Sequence, residues 1–295
     1  MKPNDPIITY IIKNDMLEDL YDYAAYMWQM SGLSLYNSAV LMVQRPGIGF
    51  AASETTWQRD YGRIIKPEAR PLLIVKPFTP LDIYYEACDT YSLEGKPLRR
   101  WMQQPKSFEL PSMPPFSKEE LMLVLNSHGV YFGEQDFGER LCGEMIYQKT
   151  PMPIDCRGKK GEPLRLYTHY AMILNSRRKL TEQMPTFFHE VGHLLCGHLP
   201  QDEAVTGKDL PGCKIPKRNE IPHEQKEYEA ELTCKMIMKA FGWQYTPDKS
   251  IEGVADMDEK AVTPVMLDTA MSAANKFLSW LSDTKMAAPM GKFTA

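Results

Sequence analysis

The chain has 295 residues, 43% of them hydrophobic and 24% charged, with a formal net charge of -4. That apolar share excludes a disordered chain and supports real cores in one large domain or two ordinary ones. The acidic balance excludes a strongly basic nucleic-acid binder, though not a local basic face.

Taken in order, Met1 to Ile12 lacks the charged segment followed by an apolar one that marks an export signal. No apolar run approaches the ~20 residues of a membrane span, so the expected location is cytoplasmic, with no membrane partner. Asn14 to Met30 reads as an amphipathic helix with Leu17, Leu20, Tyr21, Ala24, Met27 and Trp28 on one face, ended by Ser31-Gly32. Leu35 to Gln44 reads as a shorter helix stopped before Arg45-Pro46-Gly47. From Ile48 the period changes, and two strands are expected: Pro71 to Phe78, bounded by prolines, and Leu81 to Glu86. Trp57 with Arg63 and Lys66 is a candidate group for stacking a base and meeting phosphates. Core packing of the indole and ion pairing of the guanidinium form the competing reading.

Pro105 to Phe116, with Pro105, Pro111, Pro114 and Pro115, is the best linker candidate. A helix is expected from Ser117, its cap, to about Asn126. Short strands are expected in Gly129 to Tyr147, and a longer one in Leu164 to Leu174. By fold analogy that last strand borders a substrate cleft. Pro264 to Leu281 reads as a Met-rich packing helix. The six cysteines (Cys88, Cys142, Cys156, Cys196, Cys213, Cys234) form no C-x-x-C pair and read as reduced thiols. The expected class is α+β in two domains, residues 1–110 and 111–285, followed by a tail at 286–295.

The most informative stretch is Phe187-Phe188-His189-Glu190-Val191-Gly192-His193-Leu194-Leu195. On a helix, residues four apart share a face, so His189 and His193 can aim two imidazoles at one metal ion. Glu190 lies beside them, free to act as a base. That is the zinc-metallopeptidase pattern. The flanking apolar residues predict a buried helix, with Thr181 as its cap and Gly197 at its end. The alternative is an ordinary buried helix, but a carboxylate between two histidines is costly there without a partner.

Catalytic zinc usually takes three protein ligands. A metzincin extension would need a histidine at position 199, which is Leu199, with His198 one residue short. The better source is a helix from His223 to Phe241, ended by Gly242. On it Glu227 and Glu231 share a face, which makes Glu227 the expected third ligand and Glu231 the group that hydrogen-bonds a ligand histidine. Glu229 points away from Glu227 and remains the alternative ligand. Zinc is the default metal, with manganese, nickel or cobalt also able to occupy such a set. Glu190 would take a proton from water and pass it to the leaving amine. Tyr167, Tyr170, His169 and His223 are unranked candidates for steadying the oxyanion.

The segment Phe187 to Leu195, followed by Glu227-Tyr228-Glu229-Ala230-Glu231-Leu232, resembles the ImmA/IrrE-type zinc metallopeptidases and the C-terminal domain of ArdC-type antirestriction proteins. Asn37, Leu41, Gln44, Pro46, Trp57, Gly62-Arg63 and Pro71 to Phe78 resemble the ArdC N-terminal domain. Where that family has a Gly-Glu-Lys-like turn, this chain has Pro67-Glu68-Ala69-Arg70. The resemblance implies a single-stranded-DNA-binding domain joined to a zincin-like metallopeptidase domain, with Glu227 completing the metal site. It implies a zinc-dependent endopeptidase acting in antirestriction or on a repressor, with a protein or peptide substrate and single-stranded DNA as partners. The competing function is a single-stranded-DNA-binding protective protein whose metal domain is structural or inactive.

Overall fold

A computed structural model describes residues 5–76, 81–103, 116–138, 141–157, 163–200, 215–244 and 261–284. The class is α+β, and no helix among these residues is long and apolar enough to cross a membrane. The described residues fall into two compact units. One is drawn from Met1–Ser112 with Lys239–Gly242, the other from Met113–Met238 with Trp243–Ala287. The proline-rich linker candidate lies mostly outside the described residues, as does the expected tail.

The first unit opens with α1 (Pro6–Lys13), α2 (Leu17–Ser31) and α3 (Leu35–Gln44). α1 was not foreseen. Asp5 starts it by accepting from the Ile7 and Ile8 amides. A turn at Asn14–Met16, with Asp15 at φ 54, separates it from α2, so the helix expected from Asn14 begins three residues later. Next come β1 (Ala51–Ser53), α4 (Glu54–Tyr61), β2 (Arg63–Ile65), β3 (Leu72–Ile74), β4 (Asp82–Glu86), β5 (Thr90–Ser92) and α5 (Arg100–Gln103). The first, fourth and third strands form an antiparallel sheet in the order β1-β4-β3, and β2 pairs with β5. The outward edge of β3 is closed by two side-chain amides from α3. Asn37 exchanges two hydrogen bonds with Val75, both 2.9 Å, and Gln44 does the same with Leu73, at 2.7 and 2.9 Å. Each amide imitates the donor and acceptor of a neighbouring strand, which protects an edge that would otherwise recruit another chain.

The second unit contains α6 (Lys118–Ser127), β6 (Tyr131–Gln135), β7 (Gly143–Arg157), β8 (Pro163–Asn175), α7 (Leu180–Cys196), α8 (His223–Ala240) and α9 (Pro264–Asp283). Ser117 caps α6 in a reciprocal box with Glu120. The sheet order is β6-β8-β7, with β6 parallel and β7 antiparallel to β8. The strand expected to border the cleft, Leu164 to Leu174, is therefore the central one, paired with β7 over most of its length and with β6 from Ala171 onward, and β6 and β7 are the outer strands of this sheet among the described residues. Phe187 and Phe188 of α7 both meet Phe277 of α9, at 6.0 and 5.7 Å between ring centres. These edge-on contacts anchor the apolar side of α7 and leave its polar side for chemistry.

Candidate metal centre

α7 begins at Leu180 with Lys179 as its cap residue, not Thr181. The Lys179 carbonyl already accepts from the amides of Glu182 and Gln183, which places Thr181 inside the first turn. Gly197 ends the helix in the left-handed region at φ 82, and a β-carbon there would overlap the Pro216 carbonyl oxygen at 1.8 Å. The Arg218 amide also donates to the Gly197 carbonyl, at 3.0 Å. The chain after the helix is thus fastened back onto its end.

α7 and α8 touch at their backbones. A β-carbon on Gly192 would lie 2.8 Å from the Ala230 α-carbon and 2.9 Å from its oxygen. Only glycine permits this approach. Ala230 lies between Glu227 and Glu231, so the crossing brings both carboxylates over His189 and His193.

The result is a triangle. The Nε2 atoms of His189 and His193 are 3.0 Å apart. Glu227 Oε2 lies 3.3 Å from His189 Nε2, and Glu227 Oε1 lies 3.5 Å from His193 Nε2. A tetrahedral ion with bonds of about 2.0–2.1 Å holds its ligand atoms about 3.3–3.4 Å apart. Each nitrogen meets a different oxygen of Glu227 and the three separations bracket that value, so the donor set fits zinc in chemistry and lies close to its spacing. On the far side of the ring, His189 Nδ1 is 3.2 Å from Glu231 Oε2. A carboxylate only accepts, so Nδ1 carries the proton and Nε2 of the neutral ring presents a lone pair.

The electrostatics point the same way. Burial alone would lower the pKa of His189, but Glu227, Glu231 and the charge on Glu190 outweigh it and lift it to about 10. Burial dominates at His193 and holds it down at about 4. Burial would raise Glu227, yet its bonds to both histidines pull it well below the usual carboxylate range. Without an ion, the surrounding carboxylates favour a proton on His189, and a metal ion held by these groups would take its place.

Glu190 lies on the strand side. Its Oε2 accepts the Met145 amide of β7 at 2.8 Å. Burial, aided by the charges of Glu227 and Glu144, pushes its pKa up to about 7, against the opposing pull of His189 and the Met145 amide. Glu229, the alternative third ligand, is turned away. It is fully buried and engages His198, Arg218 and Gln225. Among the four oxyanion candidates, His223 touches a ligand, with Nδ1 3.4 Å from Glu227 Oε1 and its ring exposed. His169 stacks on Tyr147 and contacts the Gln148 carbonyl, Tyr170 is buried, and Tyr167 projects into solvent.

No family model, curated protein or solved structure matches this chain.

In the first unit the packing corrects the base-stacking expectation. Trp57 has no exposed surface, packs edge-on against Phe50 and donates its indole N–H to the Tyr85 carbonyl at 2.9 Å. It presents no face to a base. Arg63 is buried, with its guanidinium donating to Thr90 Oγ1 and to the carbonyls of Thr90 and Lys96. Lys66 donates to the Cys88 carbonyl at 2.8 Å. Trp57 thus fastens α4 to β4, and Arg63 and Lys66 fasten β2 and the residue after it to the segment around β5.

Sequence reasoning missed His198 as a partner of the site, along with Arg218 behind it. The proximity of His198 to the motif was the one available signal, and it was read only as a failed ligand.

Proposed function

We propose that the chain is a zinc-dependent endopeptidase, with His189, His193 and Glu227 holding the metal and Glu190 as the general base. The observation that carries this reading is the convergence of two imidazole nitrogens and both oxygens of one carboxylate, at separations that bracket a tetrahedral edge, with a second carboxylate beside them. Bound there, zinc would supply a water of lowered pKa and a Lewis acid for the scissile carbonyl.

The protein's own groups do the rest. Glu190 is fixed by the Met145 amide through Oε2, which leaves Oε1 to take a proton from water and deliver it to the leaving amine. Its pKa of about 7 suits a group that must both accept and release a proton near neutral pH. A structural metal site needs no such base, which favours the hydrolase reading over a structural role. The exposed ring of His223, one turn before Glu227 on α8, is placed to donate a hydrogen bond to an oxyanion formed above the triangle. The outer edge of β7 offers backbone groups to a substrate strand beside Glu190.

The test is an incubation of the zinc-loaded chain with a denatured whole-cell protein extract, followed by mass spectrometry of new amino termini. New termini that vanish with Glu190→Gln support the reading. Equal cleavage by wild type and variant, or none by either, contradicts it.

A further inference from the structure

We infer that His198 is a positioning residue that fixes the tautomer of His193, and that a buried chain ending at Arg218 sets it. This rests on the proposed metal centre and extends it by one layer. His193 Nδ1 lies 3.0 Å from His198 Nδ1. Two facing nitrogens make a hydrogen bond only if one carries a proton and the other does not. The far end of the chain decides which. His198 Nε2 lies 2.9 Å from Glu229 Oε2. Glu229 accepts from Arg218 at both oxygens and from Gln225 at Oε1, 2.9 Å away. A carboxylate held this way is an acceptor, so His198 Nε2 is the donor. In a neutral ring His198 Nδ1 is then a lone pair, and His193 Nδ1 must donate to it. The remaining nitrogen of His193, Nε2, is left with its lone pair facing His189 Nε2 and Glu227.

The consequence reaches the metal. If His193 carried its proton on Nε2 instead, an N–H would occupy the triangle and the site would lose a ligand. His189 is preset by one carboxylate in direct contact, Glu231. His193 is preset through an intervening imidazole. The middle of the relay is closed to water, since the His198 side chain is 1% exposed and that of Glu229 is 0%. Cys196, His198 and Glu229 lie close enough together to suggest a second metal site. The Arg218 guanidinium on Glu229 supplies the positive charge such an ion would bring, so the cluster reads as a completed relay.

Three variants of the full chain separate the cases. His198→Asn keeps an oxygen near the Nδ1 position and should still accept from His193. His198→Leu removes the acceptor. Glu229→Gln disrupts the relay: Glu229 Oε2 accepts from both His198 Nε2 and Arg218, and Oε1 accepts from Arg218 and Gln225, so an NH2 at either position meets an Arg218 donor and the acceptor that fixes the His198 proton is lost. Two readouts apply. Imidazole 15N chemical shifts of the metal-free protein report the tautomer of His193. Competition with a chromogenic chelator reports zinc affinity.

The expected result is a His193 protonated at Nδ1 in wild type and in His198→Asn, and a mixture of the two tautomers in Glu229→Gln. Zinc affinity should fall about 10–100-fold in His198→Leu and Glu229→Gln and return most of the way in His198→Asn. A wild-type His193 protonated at Nε2 overturns the inference, as does unchanged zinc affinity in Glu229→Gln. If wild type binds no zinc, the metal centre itself fails, while the 15N shifts still decide the tautomer. If His198→Leu does not fold, the other two variants carry the test.

Discussion

Replacing Gly192 by alanine tests how the site is assembled, because the change adds one methyl group between two helices and touches no ligand. The new β-carbon would lie 2.8 Å from the Ala230 α-carbon, 2.9 Å from its carbonyl oxygen and 3.2 Å from the Thr233 β-carbon. Comfortable separations between such atoms are about 3.5–4.0 Å. The nearest obstacles are backbone atoms, so no rotamer change relieves them, and α7 and α8 must part by roughly 1 Å. Glu227 and Glu231 move with α8. A shift of that size is several times the ~0.2 Å tolerance of metal–ligand bonds, so the triangle opens on its Glu227 side.

Overpacking of this kind costs about 1–3 kcal/mol. The gain in helix propensity from glycine to alanine offsets about 1 kcal/mol of that. The variant should therefore lose up to about 2 kcal/mol in urea unfolding of the metal-free protein. Its zinc affinity, read by chelator competition, should fall at least about tenfold, as for other losses of ligand support. Adding Ala230→Gly should not rescue it, because the clash is with α-carbon and carbonyl oxygen. A Gly192→Ala protein that is more stable than wild type and binds zinc equally would refute the close-crossing argument.

Other perturbations give equally direct outcomes. Chelation of zinc from the loaded protein should lower its melting temperature, because an ion held at 100 times its dissociation constant contributes about 2.7 kcal/mol. An unchanged melting curve would place the metal outside the folded structure. Trp57→Ala should destabilise the protein by about 3–5 kcal/mol in chemical denaturation, the usual cost of emptying a large aromatic site. A loss within ~0.5 kcal/mol, the range of an ordinary surface change, would return Trp57 to the surface. The double variant Asn37→Ala, Gln44→Ala should expose the edge of β3 and promote self-association, measured by light scattering after size exclusion. A monodisperse product identical to wild type would show that the amides are dispensable there.

How much could be read in advance depended on the range of the forces involved. The two histidines and Glu190 were legible because a helical period of four is a local property, and Glu227 followed from the same period applied to a second helix. Helix ends with strong signals, such as the Ser117 and Glu120 box and Gly197, were also legible. α4 was not, although Ser53 caps it and Gly62 ends it, because it is short and buries only Trp57. The cap of α7 was misjudged because Thr181 is the usual residue type, whereas the chain leaving β8 turns at Asn175–Arg178 and starts the helix earlier. The place of Leu164 to Leu174 as the central strand depends on its parallel pairing with β6, Tyr131 with Ala171 and onward, which periodicity does not encode. His198, Glu229 and Arg218 meet only because α7 crosses α8 at Gly192 and the following chain folds back at Gly197.

The measurement closest to the central claim is elemental mass spectrometry of the purified chain beside His189→Ala and Glu227→Ala. Near one zinc per chain in wild type, lost in both variants, is the predicted result. No zinc in wild type after zinc is offered, or full retention in Glu227→Ala, would contradict it.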